Sequence, residues 1–267
     1  MKIEFEPIGT FYSQASYKYE VPRQGVFFRG HPGRIELLPH KGFEEALRDL
    51  GSFERLWIVF HFHQNSGWRP TTRPPVPPAD HDRVGTFASR SPYRPNPIGL
   101  SCVKLVSMEK LTLHLDEADL LNETPILDIK PYIPKADAFP NAKAGWVDAQ
   151  NVEQWKIVPS EIFKAESDWI FEMCGWDLQS FAECQLANSP LDSTRRRVKV
   201  NMETHTAELA FRTFRMDFQF DEAKKQILLL RIRSGYSAAE LASTEDVYHD
   251  KPLHLAFLKQ KFSGVSF

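Results

Sequence analysis

The chain has 267 residues, 42% of them hydrophobic and 25% charged, a globular composition that excludes a disordered polymer and is enough for one large domain or two small ones. Lys and Arg number 33 against 35 Asp and Glu, a net charge of −2, so any nucleic-acid contact must come from a local patch rather than the overall field. No apolar run approaches the roughly 18–20 residues that span a bilayer, the start (MKIEFEPIG) is charged where a signal peptide is apolar, and Cys102, Cys174 and Cys184 form no Cys-x-x-Cys pair; these features predict a soluble cytoplasmic protein with reduced thiols and no membrane partner.

In chain order, Phe43, Ala46, Leu47 and Leu50 recur at i, i+3, i+4 and i+7 and predict a short helix. Phe53 to Phe62 (FERLWIVFHF) predicts a strand. At its end His61 and His63 share a face. They are open to a metal reading, but no neighbouring cysteine or carboxylate completes a ligand set, and with Gln64 and Asn65 they read better as a polar pocket wall. Arg69, Arg73, Arg83, Arg90 and Arg94 then face only Asp80 and Asp82, which makes this stretch a basic patch or a solvated, ion-paired face.

The run Arg90 to Ser101 (RSPYRPNPIGLS) is the most informative segment. Pro92, Pro95 and Pro97 fix φ and bias their preceding residues toward extended backbone, so the loop is stiff and cannot become a helix. Gly99 allows close approach of another group. Arg90, Ser91, Arg94, Asn96 and Ser101 are set on this frame, and a stiff loop bearing aimed polar groups suits small-ligand recognition because little entropy is lost on binding. Strands follow at Cys102–Val106, Leu111–Leu115 and Ile126–Ile133, giving a mainly β N-terminal domain over residues 1–150. In Thr124 to Tyr132 (TPILDIKPY), Asp128, Lys130 and Tyr132 project on one face as a general acid/base set, a substrate anchor or an edge-strand ion pair.

The chain changes character near residues 140 to 158. Ser160 reads as an N-cap for an apolar helical stretch to about Leu186, with Gly175 a break. Phe214, Met216, Phe218 and Phe220 alternate with polar residues as a half-buried strand, Gln226–Arg233 is its hairpin partner, and Ser237 with Glu240 has capping-box spacing. A smaller α+β C-terminal domain over residues 156–267 follows, and Arg195, Arg196, Arg197 and Lys199 are a second basic candidate. No G-x-G-x-x-G, G-x-x-x-x-G-K-[ST] or H-E-x-x-H occurs, so neither a Rossmann nor a P-loop enzyme is indicated.

The run RSPYRPNPIGLS, preceded by Arg83-Val84-Gly85-Thr86-Phe87, closely resembles the signature of the TsaA-like (TrmO) family. Supporting similarities are Pro7-Ile8-Gly9, Val21-Pro22-Arg23-Gln24, Leu56 to Phe60, His63-Gln64, Gly67-Trp68-Arg69-Pro70, Arg73-Pro74-Pro75 and Leu127 to Tyr132, in family order across residues 7 to 137. The resemblance implies a single-sheet, non-Rossmann β-barrel and a homodimer that binds S-adenosyl-L-methionine. It also implies methylation of N6 of N6-threonylcarbamoyladenosine at position 37, in the anticodon loop of threonine tRNA, with the C-terminal domain recognising the tRNA. The family's cofactor pocket maps onto Gln24, Gly25, Val26, His63, Gln64, Arg90, Leu100 and the stretch Asp119, Asn122, Glu123, Thr124 and Pro125, with Ser91, Arg94 and Asn96 on the same loop. Asp128 and Tyr132 are the candidates for a catalytic base.

Three stretches depart from the family. Asn122-Glu123 replaces Asp-Gly, Val76 to Ala79 replaces an arginine-bearing turn, and the sequence around Ser189 to Asp192 lacks the usual Asp-Pro-Arg-Pro pattern. A methyltransferase acting on another acceptor and a non-catalytic tRNA-binding module are the competing readings. The first binds S-adenosyl-L-methionine without methylating threonine tRNA, and the second binds tRNA without the cofactor.

Overall fold

The computed structural model describes residues 3–21, 32–74, 76, 78, 81–148, 150, 154–188, 190–191, 197–260 and 262. The chain divides into two compact units, Met1–Asn151 and Val152–Phe267.

The elements of the first unit are β1 (Gly9–Tyr12), β2 (Gly33–Leu37), α1 (Phe43–Ala46), β3 (Arg55–His61), the two-residue strands β4 (Thr71–Thr72) and β5 (Val84–Gly85), β6 (Ile98–Glu109), β7 (Thr112–Asp116), β8 (Thr124–Pro131) and α2 (Pro134–Asp137). Six of them close into one antiparallel barrel in the order β1-β2-β7-β6-β3-β8. The strict alternation of β3 turns Leu56, Ile58 and Phe60 inward, where they meet Phe11, Ile35, Val103, Leu113, Leu115 and Ile126 in a single core. The predicted helix is shorter than its periodicity: it stops at Ala46, and Asp49, in left-handed backbone at φ 69°, starts a separate 3-10 turn over Leu50–Ser52.

Two features close the barrel. Strand β6 serves two neighbours, its first half pairing β3 from Ile98↔His61 to Lys104↔Arg55 and its second half β7 from Lys104↔Asp116 to Glu109↔Thr112. Register shifts between Val59 and Phe60 and between Leu105 and Ser107 add the local twist that curls a flat sheet. The strand expected at Cys102 starts four residues earlier, at Ile98, directly out of the proline-rich loop.

The second unit holds β9 (Lys156–Pro159), α3 (Glu161–Cys174), α4 (Leu178–Leu186), β10 (Val198–Asn201), β11 (Thr206–Phe211), β12 (Phe214–Asp221), β13 (Gln226–Ser234), α5 (Ala238–Ala242) and α6 (Lys251–Lys259). The sheet order is β10-β11-β12-β13-β9, antiparallel except for β9 against β13. The Ser160 cap, the break at Gly175 (φ 77°), the β12–β13 hairpin and the Ser237/Glu240 capping box all stand where the sequence places them. Ring contacts of Trp169 with Phe257, Phe181 with Phe211, and Phe214 with both His254 and Phe257 pack α3, α4 and α6 on one sheet face.

That core encloses two polar groups with defined tasks. Glu166 on α3 is 3% exposed and accepts the backbone N–H of Ile232, a ladder donor on β13 beyond the end of β9; burial pushes its pKa up to about 7. His254 on α6 is fully buried between Thr213 Oγ1 and Ser234 Oγ, each 2.8 Å away. Thr213 donates to Asp250, which also accepts from Tyr236 at 2.7 Å. With its proton so committed, Thr213 accepts from His254 Nε2–H, and Nδ1 accepts from Ser234. The imidazole is therefore held neutral, and burial drives its pKa down to about 4.

Candidate functional site

At one end of the barrel β1 and β3 finish and β6 and β8 begin, so the connecting loops 13–21, 62–70, 86–97 and 117–123 gather there. The last of these also closes the barrel. Ala118 and Leu120 point into the core, while Asp119 accepts from the buried Ser101 hydroxyl on β6. Asn122 is tied to loop 13–21 through Ser13 N–H at 3.1 Å and, by its own N–H, to Ala15 O at 2.8 Å. Thr124 donates to Leu121 O at 2.8 Å and lies 3.5 Å from His63 Nδ1.

Loop 62–70 is fixed from both sides. Phe62 N–H donates to Pro97 O at 2.8 Å, and Lys18 donates to Gln64 O at 2.7 Å. The pKa of His63 is lowered by burial and then by the charge of His61, so its imidazole is neutral at pH 7 and either ring nitrogen can accept or donate according to its partner. Asn65 Nδ2 is a buried donor that meets no acceptor among the described residues. Such a group is costly unless something else supplies the acceptor.

The proline-rich loop is held in shape by its own side chains and by close packing at its glycine. Arg94 Nη1 donates to Thr86 O at 3.2 Å and Ser89 O at 2.9 Å, so it staples its own loop. Gly99 admits the ring of Phe60, which would lie 2.3 Å from an added Cβ. Ser91 accepts from Tyr93 N–H at 3.4 Å, while Arg90 and Asn96 are exposed. Leu100 lies on the outer face of β6, 57% exposed, in the same stretch as the exposed Ile98 and Val106.

Thus His63, Gln64, Asp119, Asn122, Glu123 and Thr124 come together at the rim, with Pro125 just inside β8 opposite Thr10. Gln24, Gly25 and Val26 lie outside the described residues, as do Ser189, Asp192, Arg195 and Arg196. Asp128 and Tyr132 sit elsewhere. Asp128 forms a surface ion pair with Lys130 at 2.7 Å, the third of its possible readings. Tyr132 stacks obliquely on Trp57 and donates its N–H to Arg55 O at the other end of β3, on the order of 20 Å along the strand from His61. The Ser101–Asp119 pair carried no signal in the sequence because only the closed barrel brings β6 and the loop before β8 together, and the Arg94 staple carried none because a local bond from a side chain to loop carbonyls leaves no pattern along the chain.

Glu123 has φ 61°, the left-handed region that its place in the turn demands. A non-glycine residue there costs about 1–2 kcal/mol, of which part is returned by its stiffer unfolded chain. Glu123→Gly should therefore raise stability by up to about 1 kcal/mol in denaturant titration. An unchanged or lower midpoint would mean that the side chain contributes more than the strain removes.

Comparison with known proteins places this geometry. The model of the tRNA-methyltransferase O N-terminal domain matches residues 10–138, the barrel and its rim loops. A tRNA (adenine(37)-N6)-methyltransferase of Escherichia coli K12 is 41% identical over 152 residues, 55% of this chain and 64% of that relative, so the chain spans a little under two thirds of its length. A Pyrococcus abyssi protein described as "Probable S-adenosyl-L-methionine-binding protein" is 35% identical over 148 residues, 55% of this chain and 78% of its own. The crystal structure of TrmO from Pseudomonas aeruginosa superposes with a TM-score of 0.63 at 28% identity, covering 88% of this chain and 99% of that one.

Proposed function

The chain belongs to the TrmO, or TsaA-like, family, and we propose from that premise that it is an S-adenosyl-L-methionine-dependent methyltransferase acting on N6 of N6-threonylcarbamoyladenosine at position 37 of threonine tRNA. The observation that carries the proposal is the coincidence of the matched stretch, residues 10–138, with a barrel whose rim gathers His63, Gln64, Asp119, Asn122, Glu123 and Thr124. The rim suits the cofactor chemically: a buried Asn65 donor without an acceptor among the described residues, a neutral His63 and the Glu123 carboxylate fit a zwitterionic ligand rich in hydrogen-bonding groups.

When bound, S-adenosyl-L-methionine supplies a sulfonium methyl that passes to nitrogen by in-line displacement. The chain's own contribution is orientation. His63, Gln64, Asn122, Glu123, Thr124 and Pro125 form one wall and Arg90, Ser91 and Asn96 the facing loop, with Gln24 to Val26 added from the resemblance. Arg94 keeps that loop in shape through Thr86 and Ser89. Positioning of this kind accounts for a large share of the barrier in two-substrate reactions. Arg90 is matched to the threonyl carboxylate or a neighbouring phosphate. The N6 proton, acidified by the attached carbonyl, leaves to solvent once the new bond forms, so no step is assigned to Asp128 or Tyr132, which have local partners. The exposed Ile98, Leu100 and Val106 on β6 are the surface on which a second copy would form the homodimer. The C-terminal unit is assigned to tRNA recognition.

Nucleoside mass spectrometry of tRNA from cells with and without the gene tests the assignment. The expected result is loss of one methyl from threonylcarbamoyladenosine. In reconstituted reactions Arg90→Ala should lower methyl transfer by about tenfold or more. Intact methylation in the deletion, or an untouched rate in the variant, would overturn the substrate or the role of Arg90 respectively.

A further inference from the structure

Phe87 is the most exposed large apolar side chain among the described residues, at 77%. It does not sit on a loose tip. The 3-10 turn Thr86–Ala88 that carries it is anchored by Thr86, buried, whose hydroxyl donates to Arg69 O and whose N–H donates to Pro70 O at 3.0 Å. Ser89 N–H and the Ser89 hydroxyl both close on Thr86 O, at 3.2 and 2.9 Å. Trp146 Nε1 donates to Ala88 O at 2.9 Å. The Arg94 guanidinium, bonded to the carbonyls of Thr86 and Ser89 on either side of Phe87, lies 5.7 Å from the centre of its ring. A ring held this firmly and left in water is costly unless something covers it.

What surrounds the ring indicates what covers it. Trp68, 53% exposed, stands on the neighbouring segment, which is joined to the turn through the β4–β5 pairing. Arg69 stacks on Tyr93 at 4.8 Å, and Arg83, braced on Thr71 at 2.9 and 2.8 Å, and Arg90 are exposed nearby in sequence. Exposed aromatics on a rigid frame among cations are the chemistry of single-stranded nucleic acid, whose bases stack on rings while its phosphates meet arginines.

Building on the tRNA reading, we propose that Phe87 is a stacking platform for an unpaired nucleobase of the substrate's anticodon loop, with Arg83 and Arg90 taking the phosphates beside it. The ring buries little surface and lies outside the residues assigned to the cofactor wall, so its removal should separate RNA binding from folding and cofactor binding.

The test uses the full chain, an anticodon stem-loop RNA of threonine tRNA and a fully paired duplex of the same composition. Phe87→Ala should weaken stem-loop binding about tenfold or more, and Phe87→Trp should restore it, because stacking tolerates any aromatic face. Duplex binding, S-adenosyl-L-methionine affinity, melting temperature and molar mass by light scattering should stay as in the wild type. Unchanged stem-loop affinity in Phe87→Ala, with the wild type binding normally, overturns the platform and leaves the tRNA reading standing. A drop in molar mass with RNA binding intact overturns it in favour of a subunit contact. A wild-type chain that binds no stem-loop removes the reading on which the proposal rests.

Discussion

Gly99→Ala should destabilise the barrel unit by about 1–3 kcal/mol and depress ligand affinity and methyl transfer together by at least about tenfold. An added Cβ would stand 2.3, 2.4 and 2.7 Å from three carbons of the Phe60 ring, closer than any real contact. Phe60 cannot yield easily: it is 5% exposed, packs edge-on against Phe62 at 5.0 Å, and fills the core beside the bulge against β8. The compensating shift must then fall on the backbone of β6 at the point where it leaves the proline-rich loop, one residue after Ile98. Because Pro97 O accepts from Phe62 N–H and Ser101 is bonded to Asp119, that shift passes to both walls of the rim. Paired denaturation and ligand-titration curves decide the point. A variant with wild-type affinity and reduced stability would show that the rim is insulated from the core.

The second large effect is on pH. Glu166 is protonated in the fold up to about pH 7, against an ordinary value of 4.5, so folded chains hold the extra proton between those limits. Stability from this group is complete below pH 4.5 and is lost as pH rises to 7. His254 acts in the opposite sense on the acid side. Its folded value of about 4 lies below the ordinary 6.5, so the unfolded chain takes up the proton first and stability falls as pH drops from 6.5 to 4. Glu166→Gln keeps an acceptor for Ile232 N–H but cannot ionise. It should match the wild type near pH 5 and exceed it by roughly 2–3 kcal/mol at pH 8, where each pKa unit is worth about 1.4 kcal/mol. Melting curves of both proteins from pH 5 to 8 test this, and parallel curves would show that Glu166 ionises as an ordinary carboxylate.

Elements with a strong local pattern were legible. Strand β3 shows unbroken alternation, α3 begins at a Ser cap and ends at a glycine, and Ser237 with Glu240 announces α5. Strands β1, β2, β9, β10 and β11, and the two-residue β4 and β5, were not read. GTFY and GRIEL are too short to show a period, and β1 acquires its meaning from pairing with β8 more than a hundred residues away, at Gly9↔Ile126. The site was legible as a stiff polar loop and, through resemblance, as a set of positions. Its wiring was not, because an arginine aimed at a ligand and one that binds its own carbonyls, as Arg94 does, look the same along the chain.

The segment from Glu117 to Glu123 is both plug and wall, with Ala118 and Leu120 in the core and Asp119 and Asn122 turned to the rim. Such a strip has no inexpensive open state, since lifting it uncovers the barrel interior. In the proposed reaction, substrate entry and product exit are then served by the loops around it. Selection for faster turnover thus acts on the surrounding loops, while this strip changes only together with the residues beneath it.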